Sequence, residues 1–425
     1  MTDRRLVSHL LRRLTFGPTS AEVDAAARSG FEATLRALLR PAADPAPPDL
    51  GPDPAARLGR DSTREQRQAA RREQAGQVAA LTRWWLERMA AGGAAEKLTF
   101  FWHGHWATSA RKVRSAPLML AQQQTFRRYG SGDTGPLVRA MLRDPALILW
   151  LDGQRNSRKA PNENLAREVM ELFTLGVGAY TEDDVKAAAR VLTGWQVDRV
   201  AGTARLETRR HDARPVTLLG RTGTLDVDGY ADLLVRHEAH LPFVTRRLWA
   251  RYASADGLPP ADVTARITAA GRDTTALLSA LCRDPAFAAT TGTLVKQPVE
   301  WLVGAVRQLG VPIGRLSAGE HRRLVSTLQA LGQIPLRPPS VGGWPAGVAW
   351  LTTASTLTRL RAGQWLADLA PEVTDRLTGD DRLDVLADVL VVDGWTDRTV
   401  SALRAVTNPK RLLATALASP EYAIQ

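Results

Sequence analysis

The sequence predicts a mainly α-helical protein, a globular bundle of many helices with a small β-hairpin or irregular insertion at about residues 196–220. Most segments have the pattern of helices, and their start and stop signals are in good order. One region, at about residues 204–219, breaks the helical period with short strand-like segments. The hydrophobic (44%) and charged (24%) fractions are those of a globular protein with a core, so disorder across the whole chain is not expected.

Capping residues mark several helix ends. Residues 19–22 (Thr-Ser-Ala-Glu) form a capping box that predicts a helix through about Leu39. Residues 181–184 (Thr-Glu-Asp-Asp) form a second one. Asn408 is a favourable N-cap, and Pro409 follows it at the first helical position.

A segment rich in Pro and Asp, residues 41–54, predicts a loop or linker near the N-terminus. The chain is therefore expected to contain an N-terminal helical segment, a Pro-rich loop or linker and a main helical domain, at residues 1–40, 41–62 and 63–425. In an alternative division of the chain, the main domain consists of two helical halves with a boundary near residue 225.

The net charge of +12 and the pI of about 10.5 raise the question of a nucleic-acid partner. Only six of the 56 basic residues are lysine, and the arginines are spread along the chain instead of forming one stripe. An arginine excess together with abundant Ala, Gly and Pro is typical of a GC-rich genome. Nucleic-acid binding is therefore not expected.

Export and membrane insertion are not expected either. The N-terminus contains Arg4 and Arg5, but Arg12 and Arg13 interrupt the apolar run that a signal peptide needs. The sequence contains no run of 18 apolar residues, so a membrane span is not predicted. Cys282, the single cysteine, lies in an apolar run and is predicted to be a buried structural thiol. We expect a cytoplasmic protein.

The first candidate site contains His103 and His105, which flank Gly104 among aromatic residues. Residues two apart on a helix point to different faces, so both histidines reach one centre only if the helix ends at Gly104. They would then bind a metal or form an acid/base pair. In the alternative they are hydrogen-bonded histidines at a buried helix end.

The second candidate site lies on a predicted helix. Asn164, Glu168 and Glu171 line one ridge beside its apolar face, where carboxylates would ligate a metal or act as acid and base. Arg167 belongs to the same predicted catalytic group. In the alternative, Arg167 pairs with Glu163 and Glu171 as in an ordinary salt-bridged helix. The spacing leaves both interpretations open.

The third candidate site, His211 and Asp212, lies at a turn of the strand-like region and either joins the first two sites or only caps the turn. His237 and His240 stand at i, i+3, which is not the His-Glu-x-x-His zinc motif, and are interpreted as structural. The sequence has no Glu-x-x-His motif, Walker loop, Gly-x-Gly-x-x-Gly motif or Gly-x-Ser-x-Gly elbow. These absences disfavour a ferritin-like di-metal centre, nucleotide dependence and a serine hydrolase.

These motifs, in this order, resemble those of a large bacterial family catalogued as domain of unknown function 1800. The resemblance extends over nearly the whole chain. It is carried by residues 11–19, 102–105, 144–146, 150–152, 162–164, 166–168, 171–172, 174–176, 180, 184–185, 192–195, 211–212, 296–300 and 339–345.

The resemblance implies a mainly helical fold and no established activity. Family members are often exported and encoded beside an uncharacterised family similar to alkaline phosphatases and sulfatases, which implies a partner of that kind. This sequence departs from the family pattern because it shows no signal peptide, has Gly104 in place of the usual Asn, and has Phe173 where the family often has His. The last departure removes one ligand from any metal site.

Two hypotheses of function follow. In the first, the protein is a metal-dependent enzyme, an oxidoreductase or hydrolase, that acts on a polar small molecule or glycan. The predicted ligands of an iron, zinc, copper or manganese ion are His103, His105, His211 and Asp212. The predicted catalytic residues are Asn164, Arg167, Glu168 and Glu171, and the residues predicted to contact the cofactor are Trp102 and Trp344. In the second, the protein is a non-catalytic scaffold or the partner of the phosphatase-like protein.

Overall fold

The computed structural model describes residues 3–41 and 45–425. This part of the chain forms 24 α-helices, six 3-10 helices, one π-helical turn and two separate two-stranded antiparallel sheets. The predicted mainly α-helical fold is confirmed. None of the described helices is long and apolar enough to cross a membrane. The cytoplasmic location stays a prediction.

The helices before the β insertion are α1 (Asp3–Leu14), α2 (Ser20–Ser29), α3 (Phe31–Leu38), α4 (Arg64–Ala91), α5 (Ala94–His105), α6 (Ala110–Val113), α7 (Ala116–Tyr129), α8 (Thr134–Leu142), α9 (Pro145–Trp150), α10 (Asn164–Glu168) and α11 (Glu182–Val191). A π-helical turn, Val169–Thr174, continues α10. The strands are β1 (Trp195–Asp198), β2 (Thr203–Leu206), β3 (Val216–Leu218) and β4 (Arg221–Gly223).

The helices after the insertion are α12 (Val227–Arg236), α13 (His240–Tyr252), α14 (Ala261–Thr268), α15 (Thr274–Arg283), α16 (Pro285–Ala288), α17 (Pro298–Gln308), α18 (Ala318–Ala330), α19 (Thr353–Asp368), α20 (Pro371–Asp375), α21 (Arg382–Val389), α22 (Asp397–Arg404), α23 (Pro409–Leu417) and α24 (Pro420–Ala423). The 3-10 helices are Pro54–Arg57, Gly153–Arg155, Thr208–Arg210, Ile313–Arg315, Gly347–Trp350 and Arg376–Thr378.

The predicted caps are present. Thr19 and Thr181 each head a capping box, and the Asn408 side chain accepts a hydrogen bond from the N–H of Arg411. The helix predicted from the first capping box through Leu39 is interrupted at Gly30, whose φ of +80° ends α2 before α3 begins.

The β insertion consists of two hairpins instead of one. Strand β1 pairs with β2, and β3 pairs with β4. His211 and Asp212 therefore lie in the connection between two hairpins, after the 3-10 helix Thr208–Arg210, and not at a hairpin tip.

The described part of the Pro-rich segment, residues 45–62, is attached to α4. Gln77 Nε2 donates to the carbonyl of Leu50 at 2.6 Å and to that of Pro52 at 3.0 Å, and Trp84 Nε1 donates to the carbonyl of Ala46 at 3.2 Å. Residues 1–2 and 42–44 of the predicted N-terminal segment and linker lie outside the described residues.

Two large hydrophobic cores meet at α5. The first core is built mainly from α5 and α7 to α16, and the second from α4, α17 to α19 and the C-terminal helices. On α5, Phe101 and Trp102 pack into the first core, whereas the neighbouring Phe100 packs into the second. The boundary near residue 225 stays a prediction, and Leu225 itself lies inside the first core. The second half of α5 therefore lies between the two cores.

Candidate functional site

Helix α5 continues through Gly104 to His105, so the helix end that would bring His103 and His105 together is absent. The two side chains point into different surroundings. The His103 ring lies 5.2 Å from the ring of Trp85 and 5.5 Å from that of Trp344. The expected convergence of the two histidines on one centre is therefore wrong, because an uninterrupted helix turns their side chains apart.

His103 supports the backbone of the long loop after α18. Its Nε2 accepts a hydrogen bond from the N–H of Leu336 at 3.1 Å, and the Leu336 carbonyl accepts one from Ala110 at 2.8 Å. Leu336 has a φ of +68°, a left-handed conformation that is costly for a residue with a side chain. His103 is thus a positioning residue that holds Leu336 in place.

His105 caps the π-helical turn. Its Nε2 is 2.8 Å from the carbonyl oxygen of Phe173, and since a carbonyl only accepts, Nε2 carries the proton. His240 donates in the same way through Nδ1 to the carbonyl of Thr174 at 3.0 Å. Burial lowers the pKa of His105 to about 3, so the ring is neutral. This is the arrangement that the alternative interpretation of the histidines describes.

The Nδ1 atom of His105 is consequently a lone-pair acceptor. It is buried and has no hydrogen-bond partner among the described residues. The Nδ1 atoms of His9 and His321 are also without a partner among the described residues, so His105 is distinguished by the cavity that it lines.

The second candidate site is mostly an ion-pair network. Arg167 binds Glu182 through two contacts of 2.7 Å and Glu163 at 3.1 Å, so the predicted pair with Glu163 is confirmed. Glu171 accepts a hydrogen bond from the Tyr180 hydroxyl at 2.8 Å instead of pairing with Arg167. Asn164 donates from Nδ2 to a backbone carbonyl at 3.1 Å.

Glu168 is the remaining acid of this group. It is half-buried, and its pKa is raised by burial first and by the charge of Glu171 second, against a lowering by Arg167. A raised carboxyl pKa suits an acid or base, but Glu168 lines none of the cavities described below.

Asp212 is a structural ion-pair partner. Its Oδ2 lies 2.7 Å from Nη2 of Arg214 and 2.9 Å from Nε of Arg190, and these hydrogen bonds hold its pKa far below the usual range of an aspartate. His211 Nδ1 lies 3.0 Å from the carbonyl of Thr193. Neither residue contacts His103 or His105 by any hydrogen bond or ion pair found in the described parts of the chain.

The predicted metal ligands do not form a common coordination site. Across residues 3–41 and 45–425, no three His, Cys, Asp or Glu side chains are placed to hold a metal ion. The predicted set of His103, His105, His211 and Asp212 is divided between the two faces of α5 and the connection between the hairpins. These four residues therefore do not fit one shared metal site, and a bound metal stays a prediction.

A cavity of about 100 Å³ lies beside α5, where the two cores meet. Its walls include His105, Phe100, Arg247, Arg251, Gln297 and Trp344. Two of these, His105 and Trp344, are among the residues that the sequence singled out. Trp102 does not line the cavity, because it is buried in the first core and donates from Nε1 to the carbonyl of Gly130 at 2.7 Å.

Trp344 forms one wall of the cavity and is seated by close backbone packing. The Trp344 ring lies 5.5 Å from that of Phe100, at an angle of 30°. The preceding residue, Gly343, has a φ of +83°, and a Cβ there would lie 2.5 Å from the carbonyl oxygen of Gly104. Glycine is therefore required at 343 for the loop to approach α5 this closely.

The cavity carries an excess of positive charge. Arg247 and Arg251 are four residues apart on α13 and face the same side of the helix. Arg251 lies 3.1 Å from Glu300 through Nη1, while its buried Nη2 has no partner among the described residues. The Glu300 carboxylate also pairs with Nζ of Lys97 at 2.7 Å, so it is the partner of two cations, Lys97 and Arg251. Arg247 adds a third positive charge.

Arg247 has no countercharge in the described part of the chain, where it makes no ion pair or side-chain hydrogen bond. It is half-buried, and burial lowers the pKa of its guanidinium. The sequence did not single out Arg247 and Arg251, because the arginine excess is explained by genome composition, and Gln297 entered only as part of the matched motif at residues 296–300. The four-residue spacing of the two arginines beside apolar residues could have indicated that both side chains lie on one face of a helix, next to its apolar face.

Fold and cavity together define a many-helix protein whose two cores enclose a small cationic cavity. The chain belongs to the family described as protein of unknown function (DUF1800), whose family model matches residues 9–424. The resemblance found in the sequence motifs is thereby confirmed. Searches of curated proteins and of solved structures found no match.

Proposed function

We propose that this protein binds a small organic anion in the cavity beside Trp344. Arg247 carries the proposal, because it is a half-buried guanidinium at the cavity wall with no carboxylate partner in the described chain. An unpaired charge in such surroundings is costly, and an anionic ligand removes that cost. Arg251 lines the same cavity and supplies a second guanidinium group, as planar recognition of a carboxylate or phosphate requires.

His105 narrows the class of ligand. Its neutral ring offers an acceptor nitrogen, so the ligand is expected to carry a hydroxyl or N–H donor besides its anionic group. The volume of about 100 Å³ suits a molecule of hydroxy-acid size. The proposal concerns recognition only. The predicted metal-dependent chemistry and the predicted phosphatase-like partner stay predictions, and Glu168 and Glu171 do not line this cavity.

The Arg247→Gln variant is expected to bind glycolate, used as the probe, at least about tenfold more weakly than the native protein. Glutamine is shorter than arginine and remains polar, but it removes the charge, and a charge-assisted contact contributes about 1.5–3 kcal/mol. Isothermal titration calorimetry at constant ionic strength measures the affinity. Arg246→Gln is the matched control, since Arg246 is adjacent in sequence, donates to the carbonyl of Pro242 and does not line the cavity.

Equal glycolate affinity in the two variants would refute the role of Arg247. Absence of glycolate binding by the native protein at high millimolar concentration would refute the anion site altogether. Ethylene glycol, which has hydroxyls but no charge, is expected not to bind.

Glycolate affinity is expected to stay constant from about pH 5 to about pH 7. His105 remains neutral over this range because its pKa is lowered to about 3, chiefly by burial. Glu300 remains ionised, since the cations Arg251 and Lys97 lower its pKa to about 2 against the opposing effect of burial. Burial lowers the pKa of Lys97 to about 8, so affinity should fall above that pH as a nearby positive charge is lost. An affinity that rises steadily as the pH drops from 7 to 5 would instead indicate a protonated histidine at the anion.

A further inference from the structure

A second, separate groove with a volume of about 340 Å³ lies where α4 meets α6 and the loop after Leu336. Four of its lining residues are arginines, and no acidic residue lines it. The arginines are Arg71, Arg111, Arg114 and Arg337. The floor is formed in part by Val78 and Ala110, which are buried.

The sequence brings these arginines together from three elements. Arg71 and Val78 are seven residues apart on α4, which places them on one face of that helix. Arg111 belongs to α6, and Arg114 is its left-handed C-cap with a φ of +51°. Arg337 follows Leu336, the strained residue that His103 and Ala110 hold in place. Three of the four arginines thus lie on or beside the four-residue helix α6.

None of the four arginines makes an ion pair with a residue of the described chain. Arginines nearby on or against α4 behave differently, since Arg57 binds Glu73 at 2.6 Å and Arg83 binds Glu87 at 2.8 Å. The pKa of Arg337 is lowered by burial first and by the charge of Arg111 second, so the two guanidinium groups are close enough to repel each other. Crowded like charges over an apolar floor are stabilised by a bound anion.

We propose that this groove binds a small ligand that carries two or more phosphate groups. Arginine binds phosphate through paired N–H donors, and four guanidinium groups supply enough donors for two phosphates at once. A single-stranded nucleic acid is less suited to the groove, because stacking on aromatic side chains contributes much of such binding and no aromatic residue lines it. The volume of about 340 Å³ is within the range of small-molecule sites.

Calorimetry with inorganic pyrophosphate and with orthophosphate tests the proposal. Pyrophosphate is expected to bind at least about tenfold more tightly than orthophosphate. Arg111→Gln and Arg337→Gln should each weaken pyrophosphate binding by about tenfold or more. Arg72→Gln is the matched control, because Arg72 follows Arg71 on α4 but does not line the groove. Thermal melts of all three variants should coincide with the native melt, since these side chains lie at the surface or half-buried.

Three results would overturn the proposal. The first is no preference for pyrophosphate, and the second is an equal loss in Arg72→Gln, which would indicate only general surface charge. The third is tighter binding of a short single-stranded oligonucleotide through the same arginines, which would make the groove a nucleic-acid site. Arg247→Gln should retain full pyrophosphate affinity, so the groove and the cavity beside Trp344 succeed or fail independently.

Discussion

The Glu300→Gln variant is expected to lose about 3–5 kcal/mol of unfolding free energy. Glu300 is buried and ion-paired with Lys97 at 2.7 Å and with Arg251 at 3.1 Å. Glutamine keeps the shape of the side chain and can still accept the capping hydrogen bond from the N–H of Gln297. It removes the negative charge, however, and leaves two buried cations without compensation. Urea denaturation followed by circular dichroism measures the loss.

The control for this prediction is Glu320→Gln. Glu320 occupies the same third position of a capping box, at the start of α18, but contacts no buried cation. Its replacement should cost only a few tenths of a kcal/mol, because glutamine also completes a capping box. Similar losses in the two variants would show that Glu300 acts as a cap and not as the centre of a charge cluster.

A double variant separates charge from packing. Adding Lys97→Met to Glu300→Gln removes one of the two stranded cations, so the double variant should be less destabilised than the sum of the single changes.

Lowering the pH should destabilise the folded protein, as the Glu300→Gln substitution does. The pKa of Glu300 is lowered in the folded protein, so its contribution is present above the unfolded pKa of about 4.5 and is lost as the pH falls towards about 2.

The fold was largely predictable because its signals are local. Capping boxes at Thr19 and Thr181 and the proline after Asn408 act within one helical turn, and each is found where the sequence places it. The break at Gly30 and the π-helical turn after Glu168 were not predicted. A glycine within a helical pattern is compatible with both continuation and a break, and the apolar pattern of a π turn is hard to distinguish from that of an α-helix over six residues.

The candidate site was predictable only in part because its contacts are distant in sequence. His105 binds a carbonyl 68 residues away, and His103 binds an N–H 233 residues away. Composition and spacing drew attention to both histidines and to Trp344, but neither indicates which nitrogen is already hydrogen-bonded. The role of Arg247 depends on a missing partner, which is a property of the folded chain alone.

The loop after α18 connects the two proposed sites. Leu336 is fixed to α5 through His103, Arg337 enters the four-arginine groove, and Trp344 forms a wall of the cavity. A disturbance where this loop rests on α5 should therefore change the cavity directly. The contact most sensitive to such a disturbance is the one between the backbones of Gly343 and Gly104.

The Gly343→Ala variant is expected to lose about 2–4 kcal/mol of unfolding free energy and to abolish glycolate binding. Alanine is strained at the φ of +83°, and its Cβ would lie 2.5 Å from the carbonyl oxygen of Gly104, a backbone atom that cannot rotate away. The loop has to lift from α5, and Trp344 moves with it. Urea denaturation gives the stability, and calorimetry gives the affinity.

Gly342→Ala is the control for this change. Gly342 is adjacent and exposed, its φ is not positive, and the nearest atom to an added Cβ is the Ser340 hydroxyl at 3.7 Å. Stability and glycolate binding should therefore remain close to native. If Gly343→Ala were as stable as Gly342→Ala, the loop would not rest on α5 as described. If Gly343→Ala were destabilised but still bound glycolate with native affinity, Trp344 would not be part of the anion site.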